Sequence, residues 1–270
     1  MSSKNIRITT QTLFKNEDKF IWYALSAWEP YATQMLVWND ESSDQSEEIV
    51  KGIKSSKIKY KHISASSEAQ LTLLRNQMLQ QTKTEWFLLL DGDEIWNNST
   101  VTKFLDYIEN QPASVYAIVM RTRNCVGDVY HYLPEDEGRY ELLGKRGHLN
   151  IRAYRKLPGF RWEGQYPLEK YVDARGSSIN DQQDRLSFFD NFYWHMTHLP
   201  RSSSKETVKG WRETKIEGGI KIKEEELPEV FWLPAPPLVP SPLTKRSLPE
   251  EILGKLVTPI KKIRRAVLTK

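Results

Sequence analysis

Between residues 6 and 120 the chain alternates short apolar runs with helix-patterned segments, and this alternation restricts its fold more than any other feature. Residues 6–12, 34–38, 57–60, 86–90 and 115–120 read as strands, being short and bounded by turn-forming residues. Helical patterns lie between them, at 17–28, from Asp44 to about residue 54, from Ser67 onward and at 101–109. Asp44 with Glu47 and Ser67 with Gln70 have capping-box spacing, in which two side chains three residues apart satisfy exposed backbone donors. Leu71, Leu74, Met78 and Leu79 give the third helix an apolar face, as Phe104, Leu105 and Ile108 do for the fourth. Helices between successive strands imply right-handed crossovers, hence an α/β protein with a mostly parallel central sheet covered on both faces. Ligands of such sheets bind beyond the carboxyl ends of the strands. The segments expected there, TLFKNED (12–18), WNDESSD (38–44) and DGDE (91–94), are all polar or acidic.

The regular pattern loosens near residue 125. Beyond it we expect a long irregular stretch, an antiparallel strand at 148–154, a further strand at 188–195, a flexible crossing at 199–205 and an extended Pro-rich segment at 232–243. Residues 249–270 space Ile252, Leu256, Ile260, Ile263 and Val267 at helical intervals, with Thr258 and Pro259 placed for a helix restart. This gives a catalytic domain over 1–205, divided near residue 122, and an extension over 206–270.

Charge separates the same two parts. Residues 201–270 hold 15 Lys and Arg against 9 Asp and Glu, a balance of +6, which leaves −2 on the first 200. A nucleic-acid-binding domain would carry its basic stripe through the fold, so that class is excluded. The basic tail has two readings: contact with an anionic membrane surface, or a helix docked on the body with a solvated basic face. A single cysteine, Cys125, precludes an internal disulfide framework and suits a reducing compartment. No run reaches the roughly 20 apolar residues a membrane span needs, and the first residues lack a signal-peptide core. A cytoplasmic protein, peripheral at most to the inner membrane face, is the expectation.

The chemistry concentrates in EWFLLLDGDEIW, residues 85–96. A buried strand runs directly into Asp91, Asp93 and Glu94. One reading is a surface turn, since Asp and Gly favour turns. The other is a phosphate site, because Mg²⁺ or Mn²⁺ needs only one or two carboxylates when substrate phosphates and water complete its shell. Trp96 beside the acids could stack on a sugar or pack in the core.

LLRNQMLQQTKTEWFLLLDGDE resembles the "ARN…A…GEW…LDADE" block of family-2 glycosyltransferases, which have the GT-A fold. VWNDESSD resembles that family's "VDDGSTD" segment and TLFKNED the end of its first strand. The resemblance is specific over about 6–96, looser to about 200 and absent beyond. It implies a metal-dependent transferase that moves a sugar from a nucleotide-diphosphate donor, UDP-sugar favoured, to a hydroxyl of a glycan, lipid-linked or protein acceptor. Asp93 would be the main ligand of Mn²⁺ or Mg²⁺, with Asp91 beside the metal or ribose. Thr12 and Phe14 would line the base pocket and Arg75 would lie near the base or diphosphate. Asn39 stands where the family has an aspartate that accepts the uracil N3–H, a role Asp40 could share. GFRWEGQYPLEKY (159–171) resembles the acceptor-side motif and puts Glu169 at the catalytic base, with Leu168 in place of the usual histidine. His195 would complete the metal shell, with His198 the second choice. Rival readings are a sugar-phosphate nucleotidyltransferase, which TLFKNED disfavours by having no glycine, and a sugar-nucleotide-binding protein without catalysis.

Overall fold

A computed structural model describes residues 7–65, 67–200, 215 and 217–268, with side chains as far as residue 263. The first half alternates as the pattern requires: β1 (Ile8–Phe14), α1 (Ile21–Trp28), β2 (Gln34–Asp40), α2 (Ser46–Gly52), β3 (Ile58–Ile63), α3 (Glu68–Gln81) and β4 (Trp86–Leu89). Then come the two-residue β5 (Glu94–Ile95), α4 (Asn98–Glu109) and the long β6 (Ala117–Val126). The second half is built of strands: β7 (Asp128–Tyr132), β8 (Tyr140–Leu142), β9 (Lys145–Gly147), β10 (Leu149–Arg155), β11 (Arg161–Glu163), β12 (Lys170–Val172), β13 (Leu186–His198) and β14 (Ile220–Lys221). The helix α5 spans Leu248–Leu268.

The sheet order is β14-β7-β6-β10-β4-β1-β2-β3, with β13 pairing both β6 and β5. Strands β4, β1, β2 and β3 run parallel; β4, β1 and β2 are buried almost throughout, whereas β3 at the sheet edge buries only Ile63. The sheet is not parallel throughout. β10 is antiparallel to both β4 and β6, so the expected antiparallel strand lies inside the sheet between two strands that run the same way. No local pattern encodes that insertion, which depends on pairing such as Ala153 with Leu88, 65 residues apart in the chain.

Two helix starts differ from expectation for one reason. The first helix begins at Ile21 and not at residue 17, because Glu17 N donates to Ser46 Oγ at 2.8 Å and Asp18 N to Asp44 Oδ2 at 3.1 Å. Asp44 still caps the first amide of α2, its Oδ1 accepting from Ser46 N at 2.9 Å, but α2 starts at Ser46 from Gln45 and Glu47 turns away to accept from Asn39 Nδ2 at 3.0 Å. The capping-box residues also tie two loops together. At α3 the expected cap forms, with Ser67 Oγ accepting from Gln70 N at 3.3 Å.

Tryptophans fill the interior. Trp28, Trp38, Trp96 and Trp194 are fully buried, each contributing about 1.5–3 kcal/mol or more of apolar transfer. Trp96 stacks on Tyr193 with centroids 5.4 Å apart and meets Trp28 edge-on, so it packs in the core. Ile222, Leu227, Val230, Phe231 and Val239 join the same core, and Tyr23 donates to the Pro240 carbonyl at 3.1 Å. The Pro-rich stretch is thus a strap across α1, without regular structure after residue 232. Most of the expected crossing at 199–205 lies outside the described residues. α5 continues through Pro259 without a restart.

Candidate active site

The carboxyl ends of β1, β2 and β4 meet as expected, and hydrogen bonds fix how. Asn16 Oδ1 accepts from Ser43 N at 2.7 Å, while Asn16 N donates to Ser42 Oγ at 2.9 Å. Asn16 and Glu41 take the left-handed conformation, with φ of 56° and 47°, which turns each loop sharply at the sheet edge. Gly92 explains the spacing between the two aspartates. A Cβ there would lie 3.0 Å from Glu17 Cβ, so glycine lets the acidic loop close against the segment after β1 without displacing the Glu17 side chain.

β13 then fixes the acids. Met196 N donates to the Asp93 carbonyl at 2.9 Å, and the β5–β13 register sets His195 opposite Glu94. His195 Nε2 thereby stands 3.4 Å from Asp93 Oδ2, joining groups 102 residues apart in sequence. Two adjacent ligands on one octahedral ion at about 2.1 Å are separated by about 3 Å, so this pair fits Mn²⁺ or Mg²⁺ with its remaining positions left to substrate and water. Among the described residues no three His, Cys, Asp or Glu side chains converge on one point. His198 lies three residues further along β13, beyond a register shift and opposite Val126.

Asp91 faces arginines. Its Oδ2 accepts from Arg152 Nη2 at 3.1 Å, and its Oδ1 is 3.9 Å from Arg75 Nη2. Burial works against its charge, but these guanidiniums hold its carboxyl below the ordinary value. Glu94 has no solvent exposure, accepts from Asp91 N at 3.4 Å and pairs with Arg152. Burial, with Asp91 and Asp93 nearby, pushes its carboxyl well above the ordinary range. Arg152 also donates through Nε to Tyr193 Oη at 3.0 Å, which Asn150 Nδ2 reaches at 2.8 Å. The sequence reading passed over Arg152. Its signal is an arginine flanked by Ile151 and Ala153 in the middle of a strand, a charge that points inward only if acids await it.

Arg75 is buried, on the apolar face of α3, because it stands four residues from both Leu71 and Leu79. Its Nε lies 3.7 Å from Glu169 Oε1, and among the described residues neither Nε nor Nη1 has a hydrogen-bond partner, nor has Glu169 Oε2. α3 holds the Glu169 segment directly: Asn76 exchanges bonds of 2.8 Å with the backbone of Trp162, and Thr72 Oγ1 donates to the Gly164 carbonyl at 2.9 Å. Asp93, Asp91, Arg75 and Glu169 therefore share one edge of the sheet.

The residues expected at the base are placed differently. Phe14 is part of the core, 3% exposed, and Thr12 is fully buried in β1. The Asn39 amide is used inside its own loop, accepting from Ser42 N at 3.0 Å and donating to Glu47 and Tyr60. Asp40 Oδ1 accepts from Ala65 N at 2.7 Å, while no hydrogen bond among the described residues uses Oδ2. Cys125 is buried, and burial pushes its thiol upward, consistent with an inert side chain.

Comparison with known proteins agrees with this architecture. No curated protein matches the chain. Among solved structures, S. aureus TarS residues 1–349 in complex with UDP-GlcNAc superposes with a TM-score of 0.51 at 16% identity, covering 75% of this chain and 62% of that one. The mannosyltransferase PcManGT from Pyrobaculum calidifontis, in complex with GDP-Man and Mn²⁺, gives 0.47 at 14% identity, over 74% and 59%. The chain thus spans about three fifths of the length of these structures, and the likeness to TarS shows a shared GT-A fold. Residues 6–164 match the profile of glycosyl transferase family 2, more than half of the 270-residue sequence, and the chain belongs to that family.

Proposed function

We propose that the chain transfers a sugar from a nucleotide-diphosphate donor to an acceptor hydroxyl, with inversion at the anomeric carbon. One observation carries the reading. A buried arginine with two unbonded N–H-bearing nitrogens and a carboxylate with an unbonded oxygen stand at the sheet edge that also holds the Asp93–His195 pair. Buried polar atoms without partners are costly, and a ligand that satisfies them recovers that free energy.

Asp93 and His195 would hold a divalent ion, and the imidazole nitrogen would favour Mn²⁺ over Mg²⁺, which prefers oxygen ligands. When bound, the ion offsets negative charge on the departing diphosphate. Arg75 donates Nε or Nη1 to the diphosphate, while Arg152 keeps Asp91 ionised and turned toward the ribose. Asp40 Oδ2 accepts the N3–H of uracil in place of Asn39, whose amide is already spent. Glu169 takes the acceptor proton as the acceptor oxygen bonds the anomeric carbon and the bond to the diphosphate breaks on the opposite face. The 1–205 segment is the catalytic unit, with 206–270 an extension strapped to it.

The test is a thermal-shift panel of UDP, GDP, dTDP and CMP, with and without Mn²⁺, on wild type and Asp93→Ala, followed by donor turnover. UDP with Mn²⁺ should stabilise wild type and leave Asp93→Ala unmoved. No metal-dependent stabilisation by any nucleotide would sink the reading. Nucleotide binding without release from any donor would restrict the chain to binding.

A further inference from the structure

α5 is docked with the wrong side out for a helix of a free-standing globular protein. Its inner face is small and polar. Gly254 is packed so closely that a Cβ would lie 2.9 Å from the Glu217 backbone, Thr258 Oγ1 accepts from Gly218 N at 2.7 Å, and Lys261 Nζ lies 3.3 Å from Glu217 Oε1. Its first turn is held by Arg246, which bonds Glu251 and the carbonyls of Glu217 and Gly218. The apolar side chains point the other way. Leu248, Ile252, Leu256, Ile260 and Ile263 are 78%, 58%, 66%, 68% and 68% exposed and recur every three or four residues, forming one stripe about four turns long. A helix normally buries such a stripe, and a contiguous exposed one marks an interaction surface.

Charge identifies the occupant. Residues 252–270 carry six Lys and Arg and no Asp or Glu, and Lys255 and Lys262 flank the stripe on the exposed side. A second copy would bring two such basic helices face to face, and like charges oppose that pairing. An anionic lipid surface satisfies both features together, because acyl chains take the apolar stripe while headgroups meet the flanking cations. The helix cannot cross a bilayer: no helix among the described residues is long and apolar enough. We propose that the exposed face of α5 is a docking surface for an anionic phospholipid bilayer, on which the helix lies in the plane of the headgroups. This stands on α5 alone and is independent of the proposed glycosyl transfer.

The experiment is vesicle flotation of the full chain, using phosphatidylcholine mixed with phosphatidylglycerol and, separately, phosphatidylcholine alone. Wild type should float with the anionic vesicles, weakly with the neutral ones, and less as salt rises. The double variant Leu256→Asp/Ile260→Asp should lose partitioning by at least about tenfold, since two branched aliphatic side chains no longer enter the lipid. Its melting temperature should stay at the wild-type value, because both side chains are exposed. Lys255→Glu/Lys262→Glu should abolish the preference for anionic vesicles. Failure of wild type to float, or equal flotation of the aspartate variant, overturns the proposal. So does concentration-dependent self-association in lipid-free sedimentation that the aspartate variant removes, which would assign the stripe to a second copy.

Discussion

Replacing Arg152 by methionine tests the electrostatic design of the acidic loop. The guanidinium serves a fully buried Glu94 and a partly buried Asp91, with its own side chain only 13% exposed. Deleting one partner of a buried pair costs about 3–5 kcal/mol, because a charge is stranded in a medium that solvates it poorly. Protonation sets a ceiling on the Glu94 share. At pH 7, raising a carboxyl from an ordinary value of about 4.3 costs about 1.4 kcal/mol per unit, or about 4 kcal/mol in all. Part of that ceiling is already incurred in the wild type, where Glu94 is raised, so with the Asp91 share we expect a loss of about 2–3 kcal/mol, a fall in melting temperature of about 4–12 °C for a chain of this size. The sign of the pH dependence follows. Glu94 has a raised carboxyl in the folded state, so the fold binds its proton more tightly than the unfolded chain does. Stability from that source is present below the unfolded value and lost as pH rises through the folded one. Without Arg152 the folded value climbs further, so the variant's deficit should shrink on going from about pH 8 to about pH 5. Thermal and urea unfolding of Arg152→Met, Glu94→Gln and the double variant form the cycle, and Glu94→Gln should recover about 1 kcal/mol or more in the Arg152→Met background. A loss below about 1 kcal/mol, or no recovery in the double variant, would show that Arg152 is not the counter-charge of Glu94.

Other predictions concern neighbouring groups. Gly92→Ala should cost about 1–3 kcal/mol, because the new methyl meets the Glu17 side chain; its nucleotide affinity should fall with it, and an unchanged melting temperature would contradict the close packing. Arg75→Met removes a guanidinium with two unbonded nitrogens, so stability should change little while donor KM rises about tenfold or more; steady-state kinetics and thermal melts separate the two. Acid should release α5 first. Burial raises the carboxyls of Asp128 and Glu251, but His131 and the Arg246 backbone on the first, and Arg246 and Lys255 on the second, hold both below the ordinary value. The stability they add is present above the unfolded carboxylate value and is lost as pH falls through the folded ones, below about pH 4. Hydrogen exchange across 248–263 should accelerate there, and less so in Asp128→Asn.

The first half of the fold was legible because its signals are local. Strand and helix periods, the Ser67–Gln70 cap and the acids following a buried run are all settled within about one turn or one strand of chain. Arg75 shows the limit of that reading: its spacing from Leu71 and Leu79 put it on the inner face, but no local signal set it between Asp91 and Glu169. Asp44 and Glu47 show another. Their spacing was that of a cap, and Asp44 does accept from Ser46 N, but tertiary contacts also brought the backbone amide of Asp18 to Asp44 and the side-chain amide of Asn39 to Glu47.

By itself, then, the sequence determined the α/β alternation, the three polar loops at one sheet edge and the position of Asp91 and Asp93 at the end of β4. Tertiary structure alone decided which partners those acids meet. β10 enters between β4 and β6 and delivers Arg152, β13 sets His195 against Asp93, and α3 holds Glu169 beside Arg75. The physical reason is range. Backbone period and capping act over a few residues, whereas a buried charge is tolerated only where the whole fold supplies its counter-charge.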